Sequence, residues 1–257
     1  RSGGHRWVYL SWALGLRALG CEVIWLEGVA PGMDPQEVNE RVELLKLHLD
    51  RYDLSKAVSL YSKSWTGEPS AEVSISGLLD LDAVFDADLL LNLAYGVPLQ
   101  VVSRFKRSAL VDIDPGLTQI WINTGQFKIA SHNTYFSIGE TVGQPTALFP
   151  DCGLKWRYTR PAVFLPDWQL SESNGGAAFS TVTGWWEGWV EFGAESYFNR
   201  KNDGFLPFVS LPKYTGQSLE LSVPKETGVL EEKQALIAQG WRITDSFATC
   251  STPWDYQ

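Results

Sequence analysis

Residues 2–27 read SGGHRWVYLSWALGLRALGCEVIWLE, and their order decides the fold. Trp7, Leu10, Leu14 and Ala18 keep one apolar face at helical spacing, and Gly20 supplies the left-handed stop. Val23 to Leu26 follows as a continuous apolar run, the pattern of a strand in a parallel sheet covered on both faces. A glycine-led helix followed by such a strand is the second half of a βαβ crossover. Its first strand would lie upstream of Arg1, so the chain reads as a piece of a longer one. Gly3 and Gly4 at the helix N-terminus would aim backbone N–H groups and the positive end of the helix dipole at a ligand, which marks both as candidate substrate-binding residues.

The alternation continues outward from this stretch. Asp34 and Pro35 form an N-cap and first turn, predicting a charged amphipathic helix to about Leu49. Val58 to Tyr61 is a short strand candidate, and the spacing of Leu78, Leu81, Val84 and Phe85 predicts a helix over 74–85. Buried strands are expected at 88–93, 109–115 and 134–138, with a short helix at Thr118 and Gln119. Strand, helix and strand in repetition imply an open, mostly parallel α/β sheet of the Rossmann-like kind over residues 1–165. An irregular stretch rich in Pro, Ser and Gly over 166–176 reads as a linker. Strands at 179–182 and 219–223 and a helix over 231–239 then begin a second α/β domain, 177–257, which looks incomplete.

Composition excludes several classes. A net charge of −9 without a basic stripe argues against nucleic acid as a partner. The three cysteines, Cys21, Cys152 and Cys250, are far apart and lack C-x-x-C spacing, so neither a disulfide framework nor a zinc site is indicated and a reducing cytoplasm fits. No apolar run reaches the roughly 18 residues of a transmembrane segment. No G-x-G-x-x-G, P-loop, G-x-S-x-G or H-E-x-x-H motif occurs, which weakens dinucleotide, NTPase, hydrolase and zinc-protease readings.

Ligands of open α/β sheets sit at the carboxyl ends of the strands, so Glu27, Asn92, Asp112, Asp114, Gly139 and Glu140 are the residues to inspect. Asn92 and Glu140 are candidate substrate contacts. Asp112 and Asp114 flank Ile113, which puts both carboxylates on one face at a strand end, and Asp112 follows Ala-Leu-Val, where a buried acid needs a partner. Such a pair orients a histidine, binds a metal or accepts sugar hydroxyls; Asp114 before Pro115 is equally a turn residue. His5 lies in the first helical turn, where the dipole favours the neutral imidazole that a general base needs; a plain capping role is the alternative. His132 and Asn133 read as loop residues and His48 as solvated. Twelve tryptophans, Trp65, Trp168, Trp185, Trp186 and Trp189 among them, suit sugar faces or ordinary cores equally. Trp185 and Trp186 are kept as candidate sugar platforms, and Lys201, beside Arg200 and Asp203, as a phosphate contact or ordinary surface.

Several stretches taken in order resemble bacterial glycosyltransferase-like proteins of the two-domain GT-B type. They are 3–7, 14–20 and 23–27; Leu110 to Pro115 with Thr118 and Gln119; 136–140; and 252–257. The resemblance implies a nucleotide-sugar-dependent transferase whose N-terminal domain holds the acceptor and whose C-terminal domain holds the donor. It implies His5 as the base that deprotonates the acceptor hydroxyl, Asp112 or Asp114 as the acid that orients it, and no metal or bound cofactor. Two other readings stay open: a carbohydrate-binding module on a Rossmann-like scaffold, and a nucleotide-sugar epimerase of GT-B architecture.

Overall fold

The computed structural model describes residues 3–64, 76–170, 178–185, 188–198, 200–224 and 230–256. Trp65, Trp186 and most of the expected linker lie outside them. The chain divides into two compact units, residues 12–162 and residues 1–11 with 163–257. The second boundary falls close to the expected linker, whereas the first eleven residues belong with the C-terminal unit rather than with the N-terminal one.

The N-terminal half runs α1 (Gly3–Ala18), β1 (Trp25–Val29), α2 (Pro35–Asp50), β2 (Val58–Ser62), α3 (Leu81–Val84), β3 (Leu90–Asn92), α4 (Leu99–Val102), β4 (Ser108–Asp112), α5 (Leu117–Asn123), β5 (Thr134–Ser137) and β6 (Trp156–Tyr158). β1 pairs with β2, and β3, β4, β5 and β6 form a second sheet in chain order; every pair is parallel. This is an α/β fold with parallel sheets. α1 ends where expected, at Gly20 with φ +88°, and the Asp34 carboxylate caps α2 by accepting the Gln36 and Glu37 N–H groups.

Three local expectations are corrected. β1 starts at Trp25 rather than Val23, because the Trp25 N–H donates to the Ala57 carbonyl and sets the register with Val58. It is half-buried throughout, so the strands covered on both faces are β2 and β4 instead. Of the helix expected over 74–85, residues 74 and 75 lie outside the described residues, and the rest holds one turn, capped where the Asp80 carboxylate accepts the Asp82 N–H, with Gly77 at φ +74° upstream. His48 is half-buried rather than solvated.

The remaining elements are β7 (Phe179–Val182), β8 (Trp189–Phe192), β9 (Glu195–Phe198), α6 (Asn202–Phe205), β10 (Leu219–Val223), α7 (Leu230–Ala238), β11 (Arg242–Asp245) and α8 (Ser246–Thr249). β7, β10 and β11 form a parallel sheet with β10 central, while β8 and β9 make an antiparallel hairpin that turns at Gly193 (φ +66°). Periodicity alone missed the hairpin, because its strands are only four residues each. The core of this unit gathers Trp185, Leu219, Leu221, Val223, Leu236 and Trp241.

Candidate functional site

β4 ends at Asp112, and a cluster of polar groups at this edge of the sheet is arranged around its carboxylate. Asp112 is fully buried, so each oxygen must find donors or carry a desolvation cost. Oδ2 accepts from Gln119 Nε2 at 2.8 Å and from Ser137 Oγ at 2.7 Å. The parallel register makes Ser137 the direct partner of Asp112 across β4 and β5, so the sheet itself aims that hydroxyl. Oδ1 accepts the Asp114 N–H at 3.0 Å and lies 3.3 Å from the Tyr95 hydroxyl. Gln119 is held in turn by the Gly116 N–H, which donates to its Oε1 at 2.6 Å.

Tyr95 joins this network from the loop after β3. Its hydroxyl accepts the Ile113 N–H at 2.7 Å and has one proton to share between Asp112 Oδ1 and Asp114 Oδ2, the latter at 3.4 Å. The residue sits at φ +50°, in the left-handed region where a side chain costs roughly 1 kcal/mol. Burial, then the Asp112 and Asp114 carboxylates, push its phenol well above the ordinary tyrosine range. Phe127 meets the ring edge-on, with centroids 6.1 Å apart.

A second buried pair stands behind the same loop. Asn92 and His132 are both buried, with Asn92 Nδ2 3.1 Å from His132 Nε2. The neighbours fix every proton: the Ala94 N–H needs an acceptor and takes Asn92 Oδ1 at 2.9 Å, which leaves the Asn92 amide N–H facing the imidazole. His132 Nδ1 donates to the Ala130 carbonyl at 2.7 Å, so Nε2 is the acceptor. Burial holds this imidazole below the ordinary histidine range.

The loops after β4 and β5 are packed tightly against each other. A Cβ on Gly139 would fall 2.5 Å from Pro115 Cβ, and Gly116 adopts φ +88° with Phe149 alongside. Asp114 is half-buried and Glu140 exposed at this rim, which makes them the carboxylates a ligand can reach.

The expected site residues therefore part company. Asp112 is sealed and saturated, so it is a positioning residue rather than a group that touches a substrate. Asn92 is corrected likewise, because both ends of its amide are engaged inside the protein. His132, read as a loop residue, is buried and fully bonded. Trp185 is a core residue, 1% exposed, stacked on Phe205 and donating its indole N–H to Glu232 at 2.7 Å, so its face is not offered to a sugar. Trp168 packs on Trp7, with centroids 5.3 Å apart, while Trp189 in β8 is 66% exposed. His5 is exposed in the first turn of α1, which includes Gly3 and Gly4, with the Tyr9 ring 6.5 Å away. Arg200 pairs with Asp203 at 3.3 Å, and Lys201 is the exposed residue before α6.

Sequence reasoning missed Tyr95 and Ser137. The turn residues directly after Asn92 were a signal for the first; the second emerges only from the strand register. Among the described residues no cluster of three or more His, Cys, Asp or Glu side chains is placed to hold a metal ion, and no helix is long and apolar enough to cross a membrane. In comparisons with known proteins the chain matches no family model, no curated protein and no solved structure.

Proposed function

We propose that the chain belongs to a nucleotide-sugar-dependent glycosyltransferase of GT-B type, with residues 12–162 contributing the face that holds a hydroxyl-bearing acceptor. The observation that carries this reading is the carboxyl edge of the β3–β6 sheet, where the buried Asp112 fixes Tyr95 and leaves the half-buried Asp114 at the rim. Strand ends of parallel α/β sheets are where such folds bind ligands, and a fixed carboxylate is a good acceptor for sugar hydroxyls. His5, exposed in the first helical turn, keeps the role of base that the resemblance implies. The reaction would be a displacement at the anomeric carbon: the acceptor oxygen forms the new C–O bond, the nucleoside diphosphate leaves with the electrons of the old one, and the base takes the hydroxyl proton.

A second reading, a carbohydrate-binding module, is favoured by the exposed Trp189 beside Glu191 on β8. One experiment separates the two. The chain is offered a panel of nucleotide sugars and free sugars, with saturation-transfer NMR reporting binding and nucleotide release reporting turnover. The transferase reading expects nucleotide release, reduced at least tenfold by Asp114→Asn and by His5→Ala. Sugar binding without release, abolished by Trp189→Ala and untouched by Asp114→Asn, overturns it in favour of the module.

A further inference from the structure

His132 connects solvent acidity to the loop that carries Tyr95, through a chain of bonds in which each proton position is already determined. The imidazole Nδ1–H donates to Ala130, Nε2 accepts from the Asn92 amide, and Asn92 Oδ1 holds the Ala94 N–H, one residue before Tyr95. A proton added at Nε2 turns that nitrogen into a donor facing another donor. The contact becomes repulsive unless Asn92 rotates its amide, and rotation would set its NH2 against the Ala94 N–H instead. Without rotation the Asn92–His132 bond is lost; with rotation the imidazolium regains an acceptor in Asn92 Oδ1, and it is the Ala94 bond, the loop's tie to β3, that is lost.

We propose that the Asn92–His132 pair is a pH-sensitive latch: neutral His132 holds the 94–98 loop in place, and protonated His132 releases Tyr95 from Asp112 and Asp114. The groups facing the imidazole are Asn92 from β3, the Ala130 carbonyl, and Tyr135 of β5, whose hydroxyl accepts the His132 backbone N–H at 2.9 Å and whose ring lies 6.0 Å away. The charged groups of the network, Asp112 and Asp114, face Tyr95 rather than the imidazole. Without a carboxylate to stabilise it, the imidazolium is penalised by burial alone. Tyr95 is poised to leave, because its left-handed backbone is held by the bonds of its own phenol and by the tie at Ala94. This device goes beyond the transferase reading and does not depend on it.

The test is an NMR titration of the whole chain from pH 8 to pH 5, following the imidazole nitrogens, the Ala94 and Tyr95 amides and the Tyr95 ring. The expected result is a neutral Nδ1–H tautomer at pH 8 and one common midpoint, below the ordinary value of about 6.5, for His132 and all three loop signals. His132→Gln should remove the step from the loop signals. Asn92→Asp should reverse its sense, because a carboxylate accepts from Ala94 and from imidazolium alike: the midpoint rises by about 1–3 pH units and the loop is held at acid pH. The latch is overturned if His132 titrates while Ala94 and Tyr95 stay unmoved, if their step survives His132→Gln, or if the chain unfolds globally with His132 still neutral.

Discussion

The carboxyl edges of the two larger parallel sheets solve the same problem with opposite materials. In the β3–β6 sheet a buried carboxylate, Asp112, gathers Gln119, Ser137, Tyr95 and the Asp114 N–H, so the edge is polar and closed by hydrogen bonds. In the β7–β10–β11 sheet the residue three beyond β7 is Trp185, buried on Phe205, and the carboxylate it meets, Glu232, is only half-buried. One edge is held by donors converging on a charge. The other is held by apolar area, with a hydrogen bond at its margin. Residue type at a strand end therefore does not say whether the end is a site; burial and the number of donors do.

Trp185→Ala should break the second edge most severely. Removing a fully buried indole costs about 4 kcal/mol, read by chemical denaturation followed by circular dichroism. Asp112→Asn should cost about 3 kcal/mol, since an amide N–H would confront groups that are themselves donors, whereas Glu232→Gln should cost less than about 1 kcal/mol because its site is partly wet. Equal losses for these two variants would erase the distinction between the edges.

Acidity sharpens the comparison more gently. Tyr95 is raised by burial and by two carboxylates, so above pH of about 10 the unfolded chain ionises this residue while the folded chain does not, and stability falls as pH rises. His132 is lowered by burial, so stability falls as pH drops below about 6.5, where the unfolded chain takes up a proton that the folded chain refuses. Both limbs belong to residues 12–162, and the stability plateau between them should persist. Tyr95→Phe should flatten the alkaline limb only, measured as unfolding free energy against pH.

Much of the parallel α/β framework could be read from the residues. The Asp34-Pro35 cap placed α2, and the residue pattern placed β2, β3, β5, β7 and β10 to within about two residues, whereas β4, expected to run to Pro115, ends at Asp112. Three short strands, β6, β8 and β9, of three or four residues each, escaped. At the site, Asp112 announced itself as an acid at the end of an apolar strand, but its role did not. That role follows from a register opposite Ser137 and a reach back to Tyr95, both products of tertiary pairing. Trp185 shows the converse error, a residue chosen for its surface chemistry that the fold uses as filling.

Gly139 carries a consequence for time rather than structure. Its Cα lies so close to Pro115 that not even a methyl group fits between, so the segments that follow β4 and β5 are dovetailed. Neither can swing outward past the other. In hydrogen exchange the amides of Ile113, Asp114 and Gly116 and those around 138–142 should then open as one unit, with a shared rate.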